Sequence, residues 1–311
     1  MKKQAGGSRR DILVVGSVAL DSVETARGRA DEALGGSAVY FSLAARPLAP
    51  VRIIGVVGTD FPPRHRRLLA DRGVNIDGLK TLQGRTFRWA GTYSGDFRSA
   101  ATRDTQLNVF EKFHPELGAQ DRAAGALFLA NIDPDLQLDV LSQMKGVRLA
   151  ACDSMNMWIN CKRAMLLKLL KRMDFFFINE EEARLLTGEA GLMETGRALL
   201  RLGPKAVIVK KGDYGASLFC AGRAVSLPAF PVKNVVDTTG AGDSFGGGFM
   251  GYITGSKRPF DFGEMKKAMA WGTVMASFNV ESFSVKRLAG LSRAELNRRW
   301  REYTALLAIK S

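Results

Sequence analysis

The stretch Val236-Asp237-Thr238-Thr239-Gly240-Ala241-Gly242-Asp243-Ser244-Phe245-Gly246-Gly247-Gly248-Phe249 decides how this chain is read. Beyond its first glycine, Phe245, Phe249 and Ile253 recur at helical spacing, which puts Gly240–Gly242 at a helix N-terminus. Free backbone N–H groups and the helix dipole make such a terminus an anion site, and glycines let a phosphate come close. The acid that follows, Asp243, admits two readings. It is a general base, taking a hydroxyl proton while the adjacent amides stabilise charge on a transferring phosphoryl group. Alternatively it is an acid in a favourable first turn, after a glycine turn and before glycines that allow tight packing. The glycines at 240, 242 and 246 match neither a Walker loop nor a dinucleotide fingerprint, and Gly16 stands alone after the first strand.

Outward from this stretch, β-rich apolar runs alternate with helical patterns. Strands are predicted at Ile12–Val15, Arg52–Val57, Ala126–Ala130, Arg148–Ala151, Phe175–Ile178 and Ala206–Val209, with amphipathic helices at Asn160–Arg172 and Glu194–Leu202 between them. The fold class is α/β: a doubly wound, mainly parallel sheet flanked by helices. Two segments, about 21–35 and 84–113, break the rhythm; in the second, Phe87, Trp89, Gly91 and Tyr93 alternate onto one side. They predict a small discontinuous β-sheet over one edge of the main sheet, serving as a lid or an oligomer interface. A last helix from Ser292 to Ile309 opens with the capping box Ser292/Glu295, and Arg298, Arg299 and Arg301 read as its solvated face.

The 311 residues, 46% hydrophobic and 24% charged, suit one large α/β domain spanning 11–311 behind a flexible basic tail at 1–10. No apolar run reaches the ~20 residues of a membrane span, so no membrane is expected as a partner. Cys152, Cys161 and Cys220 are odd in number and widely spaced, which argues against a disulfide framework and for a reducing cytoplasm. Two histidines, His65 and His114, are too few for a His-rich metal site. The net charge of +14 is scattered, as at Arg64–Arg67, Lys266–Lys267 and Arg298–Arg301, without a nucleic-acid-binding motif, so nucleic acid is not the expected partner.

The run Asp237 to Phe249 resembles the C-terminal signature of the ribokinase-like (PfkB) carbohydrate kinase family, and the resemblance extends in order and spacing over about Asp11 to Leu288. It implies a ribokinase-like fold and an ATP-dependent kinase phosphorylating a hydroxymethyl group of a sugar or sugar-like molecule. A nucleoside kinase of the same fold is the alternative, and a degenerate kinase fold used as a binding or regulatory protein is the alternative of another class. By the resemblance, Asp243 is the base, and Gly240, Ala241 and Gly242 form the anion hole. Gly16 to Asp21 and Gly35-Gly36-Ser37-Ala38 are similar to the family's N-terminal substrate elements: Asp21 would bind substrate hydroxyls, with Gly35, Gly36 and Ser37 beside the substrate. Read without the family, Asp21 is a loop carboxylate and the glycines a turn before a helix. Tyr40 stands near the place where many family sugar kinases carry an Asn, and is assigned to the substrate site with Asn131.

Asn179 and Glu182 match the family's N-x-x-E motif, which organises Mg²⁺ through water, although the same pair is a good capping box. Lys210, Gly212 and Gly215 in Val209-Lys210-Lys211-Gly212-Asp213-Tyr214-Gly215 precede the family's nucleotide pocket; a hairpin turn with solvated lysines is the local alternative. With Thr239, Gly240 and Gly242 they form the expected nucleotide site. Asp153 and Asn156 could help hold Mg²⁺ or the lid side, and Asp133, with Asn131, ends a strand where open α/β sheets bind ligands. The implied cofactors are ATP and Mg²⁺, with K⁺ near Asp237, Thr239 and residues 276–283 left open, and the implied partners are the small-molecule substrate and a homodimer mate through the lid sheet.

Overall fold

The computed structural model describes residues 10–95, 97, 100–256 and 261–308, so the expected basic tail lies outside it except for Arg10. Its strands are β1 (Ile12–Val15), β2 (Ala19–Thr25), β3 (Gly28–Gly35), β4 (Val51–Gly58), β5 (Asn75–Leu82), β6 (Phe87–Tyr93), β7 (Ala100–Gln106), β8 (Ala126–Leu129), β9 (Leu149–Cys152), β10 (Phe175–Asn179), β11 (Ala206–Lys210), β12 (Ala216–Cys220) and β13 (Arg223–Leu227). Nine of them form one sheet in the order β13-β12-β11-β10-β9-β8-β1-β4-β5. Every pairing from β11 to β5 is parallel, while β12 and β13 add an antiparallel edge. From β1 the chain runs outward through β4 to β5, then returns to β8 and runs the other way, so the topological switch lies between β1 and β8. In open α/β sheets, ligands bind at the carboxyl ends of the strands beside such a switch.

Strand residues alternate between two cores, as a sheet covered on both faces requires. Ile12, Val14, Phe175 and Phe177 point into one, with helices Ser37–Ala45, Ala241–Gly255 and Phe262–Asn279. Leu13, Val15, Phe176 and Ile178 point into the other, with helices Pro134–Gln143, Arg163–Leu170 and Leu192–Arg201. The Gly246–Gly248 run lets helix Ala241–Gly255 press against its neighbours: a Cβ on Gly247 would stand 2.3 Å from the carbonyl oxygen of Phe41.

A second sheet, ordered β3-β2-β6-β7, is assembled from the two segments that broke the sequence rhythm. β2 and β6 run parallel, with Asp21 opposite Trp89 and Val23 opposite Gly91, so these side chains share a face. Three strands escaped the sequence reading: β5, half polar at one sheet border, and the β12–β13 hairpin at the other. The helix expected over Asn160–Arg172 is two helices, Asn156–Cys161 and Arg163–Leu170, broken at Lys162, whose ammonium is drawn to Asp135 and Asp133. The last helix keeps its capping box, but Arg299 is not solvated: its guanidinium lies 3.7 Å over the Phe278 ring and bonds Glu281 and Ser277. Among the described residues, no helix is long and apolar enough to cross a membrane.

Candidate active site

Helix Ala241–Gly255 starts as its sequence requires, with Gly240 as N-cap in the left-handed region at φ 73°. The turn before it is braced: Asp237 accepts from the N–H groups of Thr239 at 2.8 Å and Ser284 at 3.4 Å, and the Asn279 amide donates to the Thr239 carbonyl at 2.7 Å. The Ala241 N–H is turned to the Thr238 carbonyl at 3.1 Å, so it is not free for an anion. Among the described residues, no protein acceptor takes the N–H of Gly240 or Gly242. Those two amides, with the helix dipole behind them, are placed to receive an anion, and this helix start is called the anion seat below.

Asp243 sits in the first turn beside that seat, and its pKa is pushed up to about 7. Burial is the main cause; Asp153 repels its charged form, while the Lys210 ammonium and its own N–H favour it. Asp21, on β2, faces the same space. Its carboxylate lies along Gly35-Gly36, where a Cβ on Gly35 would stand 1.9 Å from Oδ2 and where the Gly36 N–H donates to it. Burial lifts this acid to about 7 as well, against the pull of the Gly36 N–H, with repulsion from Asp237 and Asp243 adding to the rise. Two carboxyl groups that sense each other can take different protonation states near neutrality.

Tyr40, 1% exposed, passes beneath the turn with its ring against Gly240, and its hydroxyl has no hydrogen-bond partner among the described residues. The Ser37 hydroxyl, by contrast, is spent: it accepts from the Ser17 N–H at 3.2 Å and lies 3.1 Å from the Ser17 hydroxyl, joining β1 to helix Ser37–Ala45. Asn131 is likewise engaged, donating to Met155 Sδ at 3.1 Å and accepting from Trp158 Nε1 at 2.8 Å. Asp133 caps helix Pro134–Gln143.

On the other side of the seat, Asn179 and Glu182 form the capping box: Asn179 Oδ1 accepts the Glu182 N–H at 2.8 Å, and Glu182 Oε2 accepts the Asn179 N–H at 3.0 Å. Glu182 is buried, and burial lifts its pKa to about 7 despite the nearby Lys210. Lys210 ends β11 and reaches Asp153 at 2.5 Å. Gly212 and Gly215 belong to the turn of the β11–β12 hairpin, as the local alternative had it, yet Lys210 is half-buried and held by Asp153 rather than solvated. Among the described residues no group of three or more His, Cys, Asp or Glu side chains closes around a metal. Glu182 Oε1 and the second lone pair of Asn179 Oδ1 are left to face a hydrated Mg²⁺, which keeps its waters and is held mainly by phosphates.

Several contacts at this site were not foreseen. The small sheet is fastened to the 236–239 turn: Thr25 donates to the Val236 carbonyl at 2.9 Å, Thr238 to the Phe97 carbonyl at 2.9 Å, and Thr239 to the Tyr93 hydroxyl at 3.3 Å. Tyr93 thus ties the small sheet to the turn through its hydroxyl. Trp89 lies over Gly91, donating to Thr102 at 3.3 Å, and stacks on no other aromatic ring among the described residues. Alternation gave the face of these side chains but not their partners, which lie up to 146 positions away.

Comparison with known proteins bears on the family and the fold. A family model described as "pfkB family carbohydrate kinase" matches residues 10–288. The chain is 29% identical over 259 residues to a cytidine kinase of Thermococcus kodakarensis, covering 81% of this chain and 91% of that one. The crystal structure of the Methanocaldococcus jannaschii nucleoside kinase superposes with a TM-score of 0.76 at 21% identity, covering 96% of this chain and 100% of that one. A putative ribokinase II from E. coli, solved in complex with ATP and Mg²⁺, does so with a TM-score of 0.75 at 21% identity, covering 94% and 99%.

Proposed function

The chain belongs to the pfkB family of carbohydrate kinases, and on that footing we propose that it transfers the terminal phosphoryl group of ATP to a hydroxymethyl group of a sugar or sugar-like acceptor. The observation that carries this reading is the pairing of an acid with an anion seat: Asp243 stands one residue after the free Gly242 amide, with a pKa of about 7, and is near enough to Asp21 for their charges to repel. Asp21, seated on Gly35-Gly36, orients the acceptor hydroxyls. Asp243 takes the proton of the attacking hydroxyl, and a base with a pKa near the working pH is well matched to that step. The Gly240 and Gly242 amides accept charge on the transferring group without reorganising. Bound Mg²⁺ supplies charge neutralisation on the phosphates, with Asn179 and Glu182 holding it through water. Docked on the 236–239 turn, the small sheet acts as a lid that excludes water, the competing acceptor.

A second reading, a nucleoside acceptor, is favoured by Trp89. Its ring is paired across the sheet with Asp21 and stacks on no other aromatic ring among the described residues, so a base attached to the sugar held by Asp21 would meet a flat indole. The cytidine kinase relative fits the same reading. K⁺ beside Asp237 belongs to the proposal too, supported by the buried Asn279 Oδ1, which has no hydrogen-bond donor among the described residues. So do a cytoplasmic site of action and a homodimer through the lid, whose β7 is an exposed edge. The test is ADP release from Mg-ATP against ribose, fructose, inositol, adenosine, cytidine and guanosine, with the product identified by mass. Phosphorylation of one class names the acceptor; absence of transfer to any of them, in a protein that binds ATP, counts against both readings.

A further inference from the structure

The ends of three neighbouring strands carry a largely sheltered ion pair that the phosphoryl-transfer scheme above does not use. Lys210, the last residue of β11, passes over the end of β10 and bonds Asp153, which follows β9, at 2.5 Å. Both are sheltered, Asp153 at 5% exposure. The carboxylate is itself fixed: its second oxygen accepts the Ser154 N–H at 2.9 Å, and its carbonyl accepts from the buried Gln137 amide at 3.2 Å, which also holds Leu129 and Ala130. At the other end, Lys210 Nζ faces the anion seat, where a Cβ on Gly242 would stand 3.0 Å from it. Against the downward pull of burial, Asp153, Glu182 and Asp243 together hold the ammonium above the ordinary lysine value.

We propose that Asp153 is a positioning residue: it anchors the Lys210 ammonium beside Gly242, so that this charge and the two free amides receive the phosphate oxygens of the nucleotide together. A lysine is a point charge on a flexible stem, and the carboxylates whose field it feels include Asp243 and Glu182. Without its anchor it would settle on one of these, masking the base or the acid that faces Mg²⁺. Held by Asp153, it is charged and oriented before the nucleotide arrives, which is how preorganised sites avoid reorganisation. Each Asp153 oxygen accepts one N–H, from Ser154 and from Lys210, so the carboxylate is committed to holding the ammonium.

The inference rests on the proposed nucleotide site, and its test needs no acceptor. Calorimetric titration of Mg-ATP compares wild type with Asp153→Asn, Lys210→Met and the double variant, and the Mg²⁺ dependence of binding is measured for each. Lys210→Met and Asp153→Asn should each weaken binding about tenfold to a hundredfold, the size of one charge-assisted hydrogen bond. The double variant should bind no worse than Lys210→Met, with Mg²⁺ dependence unchanged, and KM for ATP should follow the same order. Multiplying losses in the double variant, or a raised Mg²⁺ requirement in Asp153→Asn, would overturn the proposal. Asp153→Asn strands a largely sheltered ammonium and can fail to fold; the comparison of Lys210→Met with the double variant then decides alone. A wild type that binds no Mg-ATP overturns the nucleotide site and this inference with it, whereas one that binds with affinity indifferent to Asp153 overturns this inference only.

Discussion

Gly240 rests on the face of Tyr40: a Cβ at position 240 would stand 2.2 Å from the ring, and the backbone there has φ 73°. Both conditions demand glycine, one by space and one by conformation. Gly240→Ala should therefore shift the turn that presents the Gly240 and Gly242 amides. Loss of one such donor costs about 10²–10³ in kcat. Steady-state kinetics that returned near-normal kcat for Gly240→Ala would show that these amides are not the anion hole.

Tyr93 and Thr239 join the small sheet, the proposed lid, to that same turn at 3.3 Å. Tyr93→Phe keeps the ring and removes the hydroxyl, which is worth about 0.5–1.5 kcal/mol for a typical hydrogen bond, or roughly two- to tenfold in an equilibrium. The expected result is a rise in acceptor KM of that size and a larger share of ADP formed without acceptor. Unchanged coupling between ADP and phosphorylated product would mean that this contact does not control closure.

Asp21, Glu182 and Asp243 are each raised to about 7, chiefly by burial. An acid raised on folding binds more protons folded than unfolded between its ordinary value near 4 and about 7. These three groups therefore make the ligand-free protein lose stability as pH rises across that window and level off above it. Asp243→Asn should remove one share of that slope in thermal melts between pH 5 and 8. Activity runs the other way: kcat/KM should rise with pH through about 7 as Asp243 ionises. A wild-type melting curve no steeper with pH than that of Asp243→Asn would contradict the assigned shift.

Trp89 is the residue expected to separate acceptor classes. If a base stacks on it, Trp89→Ala should raise the KM of nucleosides about five- to a hundredfold, the range of base–aromatic stacking, and leave that of free sugars nearly unchanged. Equal effects on both classes would remove the case for a nucleoside acceptor.

The helix start at Gly240 was legible because Phe245, Phe249 and Ile253 mark a helix and nothing but its beginning can precede them. The central strands were legible because each carries an unbroken apolar run, with Phe175, Phe176, Phe177 and Ile178 the plainest. β5 and β13 were not, since border strands need only one apolar face and read like loops. The break at Lys162 and the stacking of Arg299 on Phe278 depend on side chains from other elements, which no local period encodes. The site divides in the same way. Asp243 and the Asn179/Glu182 pair lie within continuous motifs, whereas the Lys210 anchor is 57 positions distant at Asp153 and the tie from Thr239 reaches back to Tyr93.

The measurement that bears most directly on the account is turnover of wild type and Asp243→Asn side by side on the best acceptor of the panel, with Mg-ATP affinity measured on both. General-base removal should lower kcat by about 10²–10⁴ while leaving ATP binding nearly intact. Turnover within a few-fold of wild type in Asp243→Asn would contradict the assignment of Asp243 as the base, and with it the mechanism built on this helix start.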